Sequence, residues 1–113
     1  PALLRVAPSV DWNNMEMACR EINRWATATF PNRTAHAALS KLVLEEIPEL
    51  LEHRKKKGNS GVGTELADCF ILLMDLAIMW EVNLPEALAV KMAVNYDRKW
   101  NVDVVTGIAQ HVE

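Results

Sequence analysis

Between Leu66 and Trp80 only Asp68 and Asp75 interrupt an otherwise apolar run. A helix built from it is hydrophobic on nearly every side and has to be buried by neighbours. Carboxylates bordering such a surface cost several kcal/mol unless a cation or a donor compensates them. Glu65 and Asp68 lie three residues apart at its start, so their carboxylates share one helical face. Glu46 and Glu49 repeat the spacing earlier in the chain. Four carboxylates converging from two helices form an all-oxygen site of the kind that suits Mg²⁺ or Mn²⁺, which points to phosphate chemistry.

Each pair also has a plain structural reading. Acids in a first helical turn favour the helix dipole, and Glu45, Glu49 and Glu52 have Lys41, His53, Arg54, Lys55 and Lys56 at pairing distance. The site forms only if residues 50–64 continue one helix and then loop back, laying the two pairs side by side. A ferritin-like di-iron centre needs Glu-x-x-His, but His36, His53 and His111 follow Arg33, Leu50 and Ile108 at that spacing. Zinc is not expected because no Cys/His ligand spacing exists, and the histidines read as surface residues.

The remaining punctuation predicts four helices. Asp11 is a suitable cap for an amphipathic helix carrying Trp12, Met15, Cys19, Ile22 and Ala26. Phe30-Pro31 breaks it, and Thr34 caps a second helix running to about Lys57. Pro48 removes a backbone donor within that helix and predicts a kink near Leu44–Pro48. Ser60 or Thr64 caps a third helix that ends near Val82. Asn83 with Glu86 caps a fourth from Leu84 to Lys99, whose Leu84, Leu88, Met92 and Tyr96 form one stripe. No strand alternation is evident; residues 1–10 read as an extended arm and 101–113 as a loosely docked tail. The expected architecture is a single all-α domain over 1–113, a four-helix bundle.

With 113 residues, half of them hydrophobic, the chain has room for one domain and is too apolar for disorder. A net charge of −3 argues against a nucleic-acid partner, and the run Arg54-Lys55-Lys56-Lys57 reads as a helix end favouring its dipole. Cys19 and Cys69 are expected as buried, reduced thiols, in keeping with a cytoplasmic setting. No secretory signal is evident and no apolar stretch is long enough to span a bilayer, so no membrane partner is expected.

The ordered motifs resemble a known family. Lys41 to Leu50 followed by Glu65 to Leu73 resembles the E-x-x-E…E-x-x-D signature of MazG-like, all-α nucleoside triphosphate pyrophosphohydrolases. Lys91 to Trp100 resembles that family's K-x-x-x-N-x-x-R-x-W ending. Trp25-Ala26 and Thr29-Phe30 are similar to its dATP/dGTP pyrophosphohydrolase-like branch, common in phage genomes. The resemblance spans about residues 20–102, and Pro48 between the paired acids departs from the pattern.

That resemblance implies Mg²⁺, or alternatively Mn²⁺, held by Glu46, Glu49, Glu65 and Asp68. It implies hydrolysis of a (deoxy)nucleoside triphosphate to monophosphate and pyrophosphate, with Glu46 or Glu49 handling the attacking water. Lys91, Asn95 and Arg98 lie on one helical face and would bind the substrate, Arg98 through a bidentate fork. Asp75 is either a support to the metal site or the partner of a basic residue across the bundle. Trp12, Trp25 and Trp80 are expected in the core or between subunits. The apolar third helix predicts a homodimer or homotetramer. The alternative is a non-catalytic bundle of the same fold that binds nucleotides or proteins.

Overall fold

The computed structural model describes residues 9–112, so the expected N-terminal arm lies almost wholly outside the described residues. Helix α1 spans Met15–Thr29. Its cap is Asn14, whose Oδ1 accepts from Met17 N at 3.1 Å. Asp11, the expected cap, instead closes the preceding turn by accepting from Asn13 N at 3.0 Å. Ala18, Cys19, Ile22 and Ala26 form the buried stripe, while Trp12 precedes the helix and is exposed.

Thr34 caps α2 (Ala35–Lys41) as expected, its Oγ1 accepting from Ala37 N at 3.1 Å. The helix then widens into one π-helical turn, Leu42–Glu46, and continues as α3 (Ile47–Lys57). Ile47 N donates to Leu42 O, five residues back. Proline 48 explains the widening: it has no N–H for the carbonyl of Leu44, and its ring crowds that carbonyl in a regular helix. The expected kink is therefore realised as a π turn.

Helix α4 (Val62–Met79) starts from Gly61, whose φ of 75° a side chain would oppose. Ser60 and Thr64 do not cap it; Thr64 lies within the helix and its hydroxyl donates to Gly61 O at 2.8 Å. Asn83 caps α5 (Leu84–Asp97), with Pro85 in the first turn. The fourth helix thus stops before Lys99, because Arg98 is extended.

The tail is not loose coil. Strands β1 (Lys99–Val102) and β2 (Ala109–Val112) pair antiparallel, with Lys99 opposite Val112 and Val102 opposite Ala109. Asp103 shapes the turn by accepting from Val105 N at 2.9 Å and Thr106 N at 2.8 Å. Lys99-Trp100-Asn101-Val102 does alternate polar and apolar, but over the shortest length that signals a strand, and β2 (Ala109-Gln110-His111-Val112) does not repeat the pattern.

The chain is thus mostly helical, with α1 and the continuous α2–α3 rod packed on α4. Cys69, Leu76 and Ala77 of α4 are buried together with Ala18, Cys19, Ala26 and Ala38 in a core made largely of small side chains. Both cysteines are free and buried, and burial pushes both thiols up. Leu66, Phe70 and Leu73 of α4 stay exposed. Helix α5 leans on α1 and buries none of its own residues, and Tyr96 of its apolar stripe is 82% exposed. The radius of gyration is 16.9 Å, against about 13 Å for a compact domain of this length. No helix among the described residues is long and apolar enough to cross a membrane.

Candidate metal centre

The loop 58–61 returns the chain so that the start of α4 lies against the π turn and α3. Oxygens of Glu46, Glu49 and Glu65 lie within 4.8 Å of one another. Of these residues, Glu46 is buried, Glu65 half-buried and Glu49 exposed. The π turn carries Glu46 inward at its last position, and Glu49 follows one turn later across Pro48.

Glu46 and Glu65 are each partly committed. Lys41 Nζ lies 2.7 Å from Glu45 Oε2 and 3.3 Å from Glu46 Oε1. Hydrogen bonds to Glu45 and then Glu46 raise the Lys41 ammonium above its usual range. Glu65 Oε1 lies 3.8 Å from His53 Nδ1, and the other ring nitrogen of His53 contacts the Ser60 carbonyl. His53 is therefore half-buried at the site, not the surface residue expected.

The second oxygens of Glu46 and Glu65 are buried and have no hydrogen-bond partner among the described residues. Buried carboxylate oxygens without a donor are rare in folded proteins and expensive. The Glu49 carboxyl is pushed up, first by the Glu46 charge, then by lost hydration and by Glu65. These are the marks of acids lacking a cation, so the donor set fits a hard divalent ion. An ion about 2.1 Å from each ligand accommodates oxygens up to about 4.2 Å apart. The triplet therefore closes on one ion with small side-chain rotations, or holds more than one.

Asp68 stands outside the triplet, one turn further along α4, and shares with Glu46 the wall of an adjoining cavity. Asp75 lies deeper in α4 and is 4% exposed. It pairs with Arg33, whose Nε and Nη2 donate at 2.7 and 2.8 Å, and accepts from Asn23 Nδ2 at 2.9 Å. Of the two readings for Asp75, the basic partner across the bundle holds. Arg33 had no local signal in the sequence, since the pair joins a loop to a helix far along the chain. Trp25 and Trp80 are likewise exposed, not core residues.

Lys91, Asn95 and Arg98 are not brought to these acids within the chain. None lines the cavity, and α5 begins where α4 ends, at the opposite end of that helix from Glu65. Asn95 Oδ1 is buried without a partner among the described residues, while its backbone carbonyl accepts from Trp100 Nε1 at 3.0 Å.

A helical bundle with a cluster of carboxylates at the junction of a π turn and a neighbouring helix defines an all-α protein built around a candidate divalent-metal centre. Comparisons with known proteins narrow the class. No family model matches the chain. A Salmonella phage PMBT28 protein named dATP/dGTP diphosphohydrolase is 38% identical over 91 residues, 80% of this chain. The chain spans only 29% of that protein's length. A Cyanophage S-2L protein of the same name is 36% identical over 80 residues, 71% of either chain. Among solved structures, the Cyanophage S-2L MazG-like pyrophosphohydrolase bound to dGDP and three catalytic Mn²⁺ ions per active site matches with a TM-score of 0.74. That match is 31% identical and covers 88% of this chain and 98% of the other. The chain belongs to the MazG-like pyrophosphohydrolases, in the phage-type dATP/dGTP diphosphohydrolase branch.

Proposed function

We propose that the chain hydrolyses a (deoxy)nucleoside triphosphate to the monophosphate and pyrophosphate, using Mg²⁺ or Mn²⁺ held by Glu46, Glu49, Glu65 and Asp68. The observation that carries this is the pair of buried, unpartnered oxygens on Glu46 and Glu65. The bound cation supplies charge neutralisation at the phosphates and a more acidic water. Lys41 anchors one oxygen of Glu46, which orients the other for ligation. His53, held through its other ring nitrogen by the Ser60 carbonyl, borders Glu65 at 3.8 Å. Glu49 is the exposed member of the triplet and therefore the carboxylate best placed to orient the attacking water and take its proton. Asp68, at the edge between triplet and cavity, completes the ligand set as the substrate enters.

Lys91 and Arg98 supply phosphate-binding donors and Asn95 a sugar or phosphate contact, delivered to the acids of a second copy of the chain. The exposed apolar side chains of α4 and α5 support a homodimer or dimer of dimers, since soluble monomers rarely leave such a surface open. Light scattering should then give at least twice the 12.7 kDa chain mass; a stable, active monomer would refute the assembly. The activity itself is tested by a panel of dNTPs and NTPs with Mg²⁺ or Mn²⁺. Pyrophosphate should be released from at least one of them. Release of orthophosphate alone, or no turnover, would refute the reading.

A further inference from the structure

From Lys91 to Trp100 only Asn95 and Arg98 are half-buried; every other residue of that stretch is exposed. The C-terminal hairpin reaches back to both. Trp100 Nε1 donates to the Asn95 carbonyl at 3.0 Å, and Arg98 Nη1 lies 3.4 Å from His111 Nδ1. The rings of Trp100 and His111 meet edge to face with centroids 6.2 Å apart. Asn95, Trp100, His111 and Arg98 thus close a ring of contacts that ties the end of α5 to both strands.

Strand geometry produces this ring. Arg98 is already extended, with φ −80° and ψ 148°, so Arg98 and Trp100, two residues apart, project from one face. The register sets His111 opposite Trp100, on that same face and diagonal to Arg98. The turn holds the register: Asp103 accepts from Val105 N and Thr106 N, and Gly107, at φ 74°, donates its N–H to the Asp103 carbonyl at 2.8 Å. A slip of one residue would carry His111 to the other face. A guanidinium only donates, so His111 Nδ1 is the acceptor and a neutral ring then carries its proton on Nε2. No carboxylate bonds Arg98 among the described residues, so its charge is left for an anion. An arginine side chain already held in place loses less rotamer freedom when a phosphate binds it.

We propose that the hairpin braces the phosphate-binding end of α5, with His111 as a positioning residue that presets Arg98 for the triphosphate. This rests on the pyrophosphohydrolase reading above and on its assignment of Arg98 to the substrate. His111 itself meets no phosphate and acts through Arg98.

The test measures pyrophosphate release by wild type, His111→Leu, His111→Asn, Arg98→Ala and the double variant of Arg98→Ala with His111→Leu. The contact is long for a hydrogen bond, so His111→Leu should lower kcat/KM by about threefold to tenfold. His111→Asn, whose amide oxygen can accept in place of Nδ1, should return to within about twofold of wild type. Once Arg98 is alanine, His111→Leu should cost less than about 1.5-fold, because the two residues act as one unit. A hairpin that merely stabilises the fold would lose the same factor in both backgrounds. Wild-type kcat/KM in His111→Leu, or an equal loss in the Arg98→Ala background, overturns the inference. Nitrogen NMR of the imidazole in mildly alkaline solution gives a readout apart from activity: the His111 proton should sit on Nε2, and the Nδ1 signal should move in Arg98→Ala. If His111→Leu does not fold, that signal decides, and indifference to Arg98→Ala overturns the brace. No pyrophosphate from any triphosphate overturns the activity reading and the catalytic role of the brace with it, while the NMR signal reports separately on the contact.

Discussion

Replacing Asp75 by alanine tests whether the Arg33–Asp75–Asn23 cluster holds α1, the α1–α2 loop and α4 in register. The change deletes three hydrogen bonds of 2.7, 2.8 and 2.9 Å and strands a guanidinium whose side chain is 15% exposed. Breaking a buried ion pair by removing one partner costs about 3–5 kcal/mol. Arg33 keeps its bond to Thr27 and opens on the cavity, where water can reach it, so the lower figure of about 3 kcal/mol applies. That is a large share of the 5–15 kcal/mol typical of a domain. At about 4–8 °C per kcal/mol for a small domain, Tm should fall by more than about 10 °C. Urea unfolding at one fixed protein concentration measures the loss, since an oligomer's stability depends on concentration. Arg33→Met combined with Asp75→Leu should recover most of it by replacing the ion pair with packed apolar side chains. Asp75→Ala within about 0.5 kcal/mol of wild type, or a double variant no better than the single, would show that the cluster does not stabilise the fold.

Four further outcomes bear on the acids and on α5. Glu65→Gln should abolish turnover while the apo protein stays folded or gains stability, because one uncompensated charge is removed; wild-type turnover at matched Mg²⁺ refutes the ligand assignment. Arg98→Ala should lower kcat or raise KM by about 10–1000-fold. Mixing inactive Glu65→Gln and Arg98→Ala chains should restore part of the activity, since one pairing unites intact acids with an intact α5; no recovery argues against delivery from a second copy. The raised Glu49 carboxyl means the folded apo chain binds more protons than the unfolded one. Its contribution to stability therefore falls as pH climbs from the ordinary carboxylate value through the raised one. The gain in Tm on adding Mn²⁺ should grow across that window, and a gain independent of pH would refute the linkage.

Local chemistry was legible in the sequence and distant pairing was not. Thr34 and Asn83 cap where their side chains predict, because a cap depends on residues within one turn. Glu46, Glu49 and Glu65 converge because spacing fixes each pair's face and a short loop fixes the rest. Pro48 announced a disturbance, but whether a missing donor yields a kink or a π turn depends on what the widened helix packs against. His53 was read as surface because its contacts, Ser60 and Glu65, are assembled by a Gly-containing loop. Arg33 was invisible as a partner, since nothing near it in the chain announces Asp75. What covers the apolar stripe of α5 was not legible, because spacing does not say which molecule supplies the other side.

That last point joins stability to catalysis. On the proposed assembly, covering Leu66, Phe70 and Leu73 of α4 together with Leu88 and Met92 of α5 would remove five partly exposed side chains from water. At roughly 1 kcal/mol each for half-exposed residues, the gain is on the order of 5 kcal/mol, comparable to the whole stability of a small domain. Helix α5, which contributes part of this surface, also carries Lys91 and the buried Oδ1 of Asn95 and leads directly into Arg98. Burying the apolar stripe of α5 therefore fixes its polar face with respect to whatever acids lie opposite. A substitution that weakens the stripe, Leu88→Ala for instance, acts on both quantities at once: dissociation exposes apolar surface and withdraws the phosphate-binding donors. Loss of activity should then follow loss of oligomer with protein concentration, which separates this coupling from a defect confined to the acids.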